Sequence, residues 1–312
     1  MPSFKRLPTL TQLRHLMAVS EHRHFGKAAE ACFITQSSLS LSIKELESVL
    51  GEMLVERTRR SVLMTPLGEE VVARARKIIT DVEDITDLVR AAGSPLSGVL
   101  RLGIIPTIAP FLLPRTLPKI RRAHPELKLY LREGHTADLI HQLISGDLDL
   151  LILAFPYPTG GLETLLFADD PFWVAYPKGH PGCTAERVAP AALREEALLL
   201  LEEGNCLREH ALGACQLSAA SANVEFQASS LHTLIQMVDN GLGLTLLPKM
   251  AIDGGIAKAS KIALCPLEGK GTSRQIGLTW RTTSARRQDF ILLADFFRDE
   301  LATPLRRSQR SA

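Results

Sequence analysis

Between Thr65-Pro66 and Gly93-Ser94-Pro95 the apolar residues Val71, Ala75, Ile78, Val82, Ile85 and Val89 recur at steps of four and three. This heptad seam spans nearly three repeats, and so narrow a stripe suits a coiled coil between two copies of the chain. An ordinary helix packed on its own domain is the other reading. Thr65 serves as cap and Pro66 fits the first helical position, while Gly-Ser-Pro closes the segment. About 27 residues give about 40 Å of helix. The seam therefore separates an N-terminal part, residues 1–65, from a connector over 66–92 and a larger module over 97–312.

A chain of 312 residues has room for two or three domains with real cores. With 46% hydrophobic and 22% charged residues it has the composition of a globular protein. The net charge of +2 says little about partners, but its distribution says more. Residues 1–65 carry nine Lys/Arg against six Asp/Glu, residues 66–92 lean acidic, and Arg306, Arg307 and Arg310 crowd the tail without an acid. No run of about eighteen apolar residues is present, so no membrane partner is expected. The first residues lack the apolar stretch of a secretory signal, and the expected location is the cytoplasm. Five cysteines are expected to rest there as thiols. Their odd number argues against a structural disulfide framework.

The first 65 residues read as three short helices and a hairpin. Leu10, Leu13, Leu16, Met17 and Ser20 fall at helical spacing, and a second short helix turns Ala28, Ala29 and Cys32 inward. A third helix, from about Ser37 to Leu50, carries the seam Leu39, Ile43, Leu46 and Leu50. Its other face shows Gln36, Ser40 and Lys44, with Ser37 and Ser38 at its start. Short polar side chains at such a helix start reach base edges or phosphates in a major groove. Residues 54–65 read as two short strands around a basic turn, a wing for the phosphate backbone. A small helical docking domain fits the spacing as well.

The residues themselves carry a resemblance. Phe25-Gly26-Lys27-Ala28-Ala29, Thr35-Gln36-Ser37-Ser38-Leu39-Ser40, Ile43-Lys44-Glu45-Leu46-Glu47, Leu50-Gly51 and Glu56-Arg57 resemble the winged helix–turn–helix of LysR-type transcription regulators. The resemblance implies that Thr35, Gln36, Ser37, Ser38, Ser40, Lys44 and Arg57 contact double-stranded DNA at two-fold related sites. Leu41 and Ser42 depart from the longer polar residues usual there. Leu41 either meets a thymine methyl or is a tolerated surface leucine.

After Gly98 strands and helices alternate. Strands are expected at Val99–Ile104, Leu127–Glu133, Leu150–Ala154, Phe172–Tyr176, Ala197–Leu201, Val224–Ala228, Leu242–Leu247 and Gln275–Trp280, with a helix at Ala137–Ser145. Such alternation points to open α/β sheets, and the length suits two lobes. With the LysR resemblance, the expected fold is a winged helix–turn–helix followed by an α/β two-lobed module resembling type 2 periplasmic binding proteins. Lobe I is expected at about 97–168 and 275–303, lobe II at about 169–274. Thr107 and Thr136 fall where a strand hands over to a helix, the kind of position that lines a ligand crevice and favours oxygen-rich guests. Each also reads as a plain N-cap.

Cys206 and Cys215 sit nine residues apart. On one helix their Cα atoms lie about 13 Å apart, whereas a disulfide tolerates at most roughly 7 Å. Joining them requires the segment to change shape. Asn205 is a strong N-cap residue, which sets Cys206 at the first helical position, where the helix dipole favours a thiolate. Arg208 adds to that effect, and Glu202 and Glu203 oppose it. Two buried filler cysteines are the plainer reading of such a pair.

The whole chain further resembles the hydrogen-peroxide-sensing LysR-type regulators, through Glu21-His22-Arg23-His24-Phe25, Ile105-Pro106-Thr107, Leu112-Leu113-Pro114, Gly204-Asn205-Cys206-Leu207-Arg208 and Thr245-Leu246-Leu247-Pro248. That resemblance implies Cys206 as the peroxidatic and Cys215 as the resolving cysteine. It implies a peroxide pocket of Thr107, Thr136, Asn205 and Arg281, with Asn205 standing where these regulators often have His. It also implies a homodimer or homotetramer that activates peroxide-detoxifying genes and contacts RNA polymerase, with no enzymatic turnover. Neither cofactor nor metal is expected, because His15, His22 and His24 lack ligand spacing. Cys32 reads as packing, Cys265 has no match in these regulators, and Cys183 falls in a loop expected to be exposed. Two competing readings are a LysR-type regulator answering a small organic effector with incidental cysteines, and a thiol peroxidase.

Overall fold

The structure is a computed structural model that describes residues 7–57, 62–91, 95–184, 186–217 and 227–302. The chain divides into two compact units, Met1–Val89 and Arg90–Ala312.

In the first unit α1 (Leu10–His22), α2 (Phe25–Ala31) and α3 (Gln36–Leu50) begin on side-chain caps. Thr9 and Gln12 form a reciprocal capping box, the His24 imidazole accepts from the Gly26 and Lys27 amides, and the Thr35 hydroxyl accepts from the Ser38 amide at 3.2 Å. Leu13, Leu16 and Val19 of α1, Phe25, Ala28 and Ala29 of α2, and Leu39, Ile43 and Leu46 of α3 make one buried core. Such burial stabilises by roughly 1.5–3 kcal/mol per large side chain. Leu10 and Leu50, at the outer ends of their helices, are exposed. Cys32 is only half-buried.

A two-stranded wing follows. β1 (Val55–Arg57) pairs antiparallel with β2 (Val62–Met64), Val55 opposite Met64. The basic turn 58–61 and the Arg57 side chain lie outside the described residues.

The connector is one helix, α4 (Pro66–Ala91). The Thr65 hydroxyl accepts from the Gly68 amide at 2.9 Å. The expected seam divides in two. Ala75 is buried and Val71 partly buried, packing with Val72 on the core of the first three helices. Ile78, Val82 and Ile85 are exposed, at 45%, 37% and 63%, and the Val89 side chain lies outside the described residues. Val71 and Ala75 are thus used within the chain itself. Heptad spacing does not reveal this, because both uses demand the same stripe.

The second unit is built on β3 (Gly98–Ile104), β4 (Leu127–Glu133), β5 (Leu150–Phe155) and β6 (Glu163–Tyr176), with α5 (Ala109–Ala123) and α6 (Thr136–Ile144) as crossovers. Next come β7 (Leu200–Leu201), α7 (Cys206–Cys215), β8 (Gln227–Ala228), α8 (Leu231–Asp239), β9 (Thr245–Pro248), α9 (Lys249–Asp253), β10 (Ala263–Pro266), β11 (Ser273–Trp280) and α10 (Arg287–Ala302). The main sheet runs β10-β6-β11-β5-β3-β4, with β9 also on β6, while β7 and β8 pair separately. β3 is parallel to β4 and β5, but β11 runs antiparallel between β5 and β6. The sheet is therefore mixed.

The fourteen-residue β6 pairs with β11 along Glu163–Pro171 and with β9 and β10 along Phe172–Tyr176. The expected strand Phe172–Tyr176 is only its second half. The first half mostly alternates half-buried with exposed positions, so it lacks the continuous apolar run that marks a buried strand. The expected strand Ala197–Leu201 shrinks to Leu200–Leu201, with Leu198 in a lone bridge to Leu244. Residues 224–226 of the expected Val224–Ala228 lie outside the described residues.

Candidate functional site

Two sites stand on these units. On the first, α3 presents Gln36, Ser37, Ser38 and Lys44 as exposed residues and Ser40 as half-buried, with exposed Thr35 just ahead of it. Thr35 is also the cap: its hydroxyl lies 3.0 Å from Ser37 Oγ and 2.8 Å from Ser38 Oγ. Three short hydroxyls are thereby gathered at one helix start, where unpaired amides attract phosphate. Leu41 is 59% exposed. His15 bonds Ser42 Oγ at 2.7 Å.

On the second unit, β3 ends just before Thr107, α6 begins at Thr136, and β11 begins beside Arg274. Gln275 lies opposite Phe155 at the end of β5, which brings these elements to one end of the sheet. Arg274 is fully buried and fans out three ways. Its Nε donates to Asp170 Oδ2 at 3.0 Å, its Nη1 to Thr107 Oγ1 at 2.9 Å, and its Nη2 to the Thr107 carbonyl at 3.0 Å. Asp170 also accepts from the Met250 amide at 2.8 Å. Burial pushes the Asp170 carboxyl up, while Arg274 and that amide hold it down. A guanidinium stays charged under all ordinary conditions, so Asp170 is its counter-ion. Thr107 is thus a ligand of Arg274, since α5 has no side-chain cap.

Cys206 is the first residue of α7, and its cap is Asn205, whose side chain accepts from the Leu207 amide at 3.1 Å. Burial raises the Cys206 thiol above its ordinary value. The Thr136 hydroxyl, the Arg274 guanidinium and the Cys206 and Leu207 amides pull it down, but less strongly. Thr136 lies near enough to favour the thiolate, yet its buried Oγ1 completes no hydrogen bond of ordinary geometry among the described residues. The approach is therefore loose, and the bond is unformed. Arg208 has a different task from the one its sequence position suggested: it is buried and donates to the Leu201 carbonyl at 3.2 Å. Cys215 closes the same helix, fully buried, and burial alone pushes its thiol up to about 11. Nine helical steps separate the two Cα atoms by about 13 Å.

Arg281 is elsewhere. Its Nη1 donates to the carbonyls of Leu143 at 2.8 Å and Leu148 at 2.6 Å, and its Nη2 lies 3.9 Å from Asp149. With Gln275 opposite Phe155 and Thr279 opposite Leu151, β11 carries Arg274 to the thiol end of the sheet and Arg281 to the other. Seven residues of extended chain are about 24 Å. The arginine that acts on the Cys206 thiol is Arg274, and the expectation for Arg281 is corrected.

Sequence reasoning also missed His210. It stands one turn after Cys206 on the same face of α7, a spacing of four that was the available signal. It is buried, and its Nε2 lies 2.9 Å from the Pro156 carbonyl. A carbonyl only accepts, so Nε2 carries the proton and Nδ1 is a bare lone pair. That Nδ1 has no partner among the described residues. Burial lowers the pKa of His210 and keeps it neutral, with Arg274 adding to the effect. A guanidinium and a hydroxyl thus act on the Cys206 thiol, with His210 one turn away on the same helix. Among the described residues, no group of three His, Cys, Asp or Glu side chains is placed to hold a metal. No described helix is long and apolar enough to cross a membrane.

Comparison with known proteins follows the same division. Residues 10–69 match the bacterial regulatory helix-turn-helix protein, lysR family, and residues 93–302 match the LysR substrate binding domain. The chain is 40% identical to the HTH-type transcriptional regulator EstR of Acinetobacter baylyi, over 95% of this chain and 98% of that protein. It is 38% identical to the DNA-binding transcriptional dual regulator OxyR of Escherichia coli, over 93% and 94%. A full-length OxyR cysteine variant from Pseudomonas aeruginosa superimposes with a TM-score of 0.77 at 33% identity, covering 94% of this chain and 95% of that one. A Corynebacterium glutamicum OxyR cysteine mutant with hydrogen peroxide bound gives 0.66 at 32%, over 96% and 94%. The chain belongs to the LysR family of bacterial helix-turn-helix regulators, in the group that contains OxyR.

Proposed function

We propose that this protein is a transcription regulator switched by hydrogen peroxide through Cys206 and Cys215. The observation that carries the reading is that the two thiols cap opposite ends of one helix, about 13 Å apart. The Cys206 thiolate attacks one peroxide oxygen, the O–O bond breaks, and a sulfenic acid and hydroxide form, the hydroxide leaving as water with the proton the thiol had released. Cys215 then attacks that sulfur, expelling a second water as the S–S bond closes. The reaction cannot finish while α7 is intact. Thr107 and Thr136 orient the peroxide, Arg274 favours the developing negative charge, and Asn205 holds the helix start. Asn205 does not titrate near neutrality, unlike the His usual there.

The reading extends to the whole chain. Residues 1–65 read DNA, 66–92 connect, and 97–312 sense, with lobe II over about 169–274 carrying the thiols and lobe I completing the module. Thr35, Gln36, Ser37, Ser38, Ser40, Lys44 and Arg57 contact DNA as a two-fold related pair of readers. Exposed Ile78, Val82 and Ile85 meet a second copy, with Val89 continuing the stripe, and dimers associate to tetramers. The protein acts in the cytoplasm, engages RNA polymerase and does not turn peroxide over as an enzyme.

A cell lacking the chromosomal copy, complemented with the natural chain or with Cys206→Ser, separates this reading from its rivals. Peroxide should change the transcript profile only with the natural chain. An equal response with Cys206→Ser would replace the thiol switch by an effector-driven one.

A further inference from the structure

The remaining described thiols outside the reader are not isolated. Cys183 Sγ and Cys265 Sγ are 3.1 Å apart, against about 2.05 Å in a disulfide. The sulfurs need move only about 1 Å to bond. The flanking chain holds them there. The Val188 amide donates to the Pro266 carbonyl at 2.9 Å and the Glu268 amide to the Val188 carbonyl at 2.8 Å, so the stretch after Cys183 is docked along the continuation of β10. Arg187 and Glu268 add an ion pair across the same seam. On the other side the Tyr176 ring stacks on His180 with centroids 5.0 Å apart, and His180 Nδ1 accepts from the Gly182 amide at 3.1 Å. The Cys183 amide itself donates to the His180 carbonyl at 3.1 Å. Cys183 is half-buried, reachable by a small oxidant, and Cys265 is buried behind it.

We propose that Cys183 and Cys265 are a second redox-active dithiol, oxidised by hydrogen peroxide to a disulfide that staples the turn Pro181–Thr184 to β10 without remodelling the backbone. Cys183 sulfur attacks peroxide, forming an S–O bond as the O–O bond breaks and one water leaves. Cys265 sulfur displaces the second oxygen as water, the S–S bond forms, and the two thiols have lost two electrons and two protons to one peroxide. Burial, with the neighbouring Cys183 thiol, pushes the Cys265 thiol up to about 11, so mildly alkaline pH favours the closing step. It differs from the Cys206–Cys215 reaction in kind. There the helix must break, whereas here a contact already made becomes covalent. The crosslink closes a long loop that contains α7, and long loops gain most from closure.

The test uses the full chain carrying Cys206→Ser and Cys215→Ser, so that failure of the main switch cannot affect it. After prolonged peroxide at mildly alkaline pH, trypsin without reductant should release residues 179–187 joined to residues 262–270. Melting temperature should rise by on the order of 5–10 °C, and the rise should vanish in a parallel chain with Cys183→Ser added. Recovery of both peptides as separate alkylated thiols after the same exposure would overturn the proposal. So would a crosslink with no change in melting, or one formed only between chains.

Discussion

Burial pushes the Cys206 thiol up, and the Thr136 hydroxyl, Arg274 and two backbone amides only partly offset it. The reactive thiolate is therefore a minority at neutral pH, and its fraction grows as pH rises toward the raised pKa. Formation of the 206–215 crosslink should accelerate about tenfold per pH unit from about pH 6 to about pH 8, measured by quenched alkylation. A flat profile would mean that burial does not set the rate. Arg274→Gln removes a cation that favours the thiolate and should slow that crosslinking by about tenfold at neutral pH. The same substitution at Arg281, which bonds Leu143 and Leu148 instead, should leave the rate nearly unchanged once folding is checked by melting. Gly68 is constrained differently: a Cβ there would stand 2.2 Å from the Leu54 carbonyl. Gly68→Ala should destabilise the first unit by about 1–3 kcal/mol, visible as a lower melting temperature. The cap at Asn205 and the two cysteines were readable in the sequence because cap chemistry and helical spacing are local. Arg274 was not, since strand register, rather than proximity in sequence, delivers it to Cys206.

α4 shows how one periodicity serves two purposes. Its first turns pack Val72 and Ala75 on the chain's own core, and its later turns expose Ile78, Val82 and Ile85. Ile78→Asp with Ile85→Asp should yield monomers in sedimentation while the melting of the second unit is preserved, and an intact dimer would discard the seam. On α3, Lys44→Ala should weaken DNA binding nearly uniformly across sequences and lower the salt slope by about one. The helices of the reader were readable from spacing because each has a single buried stripe. The first half of β6 and all of β10 escaped notice: half-exposed alternation in one and a four-residue length in the other give no run long enough to stand out from loop.

Over the whole chain, a DNA reader is joined to a sensor whose resting thiols cannot bond. The helix between them stores the signal: intact α7 keeps the sulfurs apart, and the disulfide keeps α7 from re-forming. The Cys183–Cys265 pair, by contrast, bonds within the resting framework, so the two oxidations should be separable by their effect on backbone protection. The most direct measurement is peptide mapping of the non-reduced full chain after brief exposure to peroxide near one equivalent. The account predicts that residues 195–208 and 209–249 are recovered as one crosslinked species, with amide hydrogen exchange across 206–215 raised in the same sample. Recovery of the two peptides as separate thiols, or a crosslink with exchange across α7 unchanged, would contradict it.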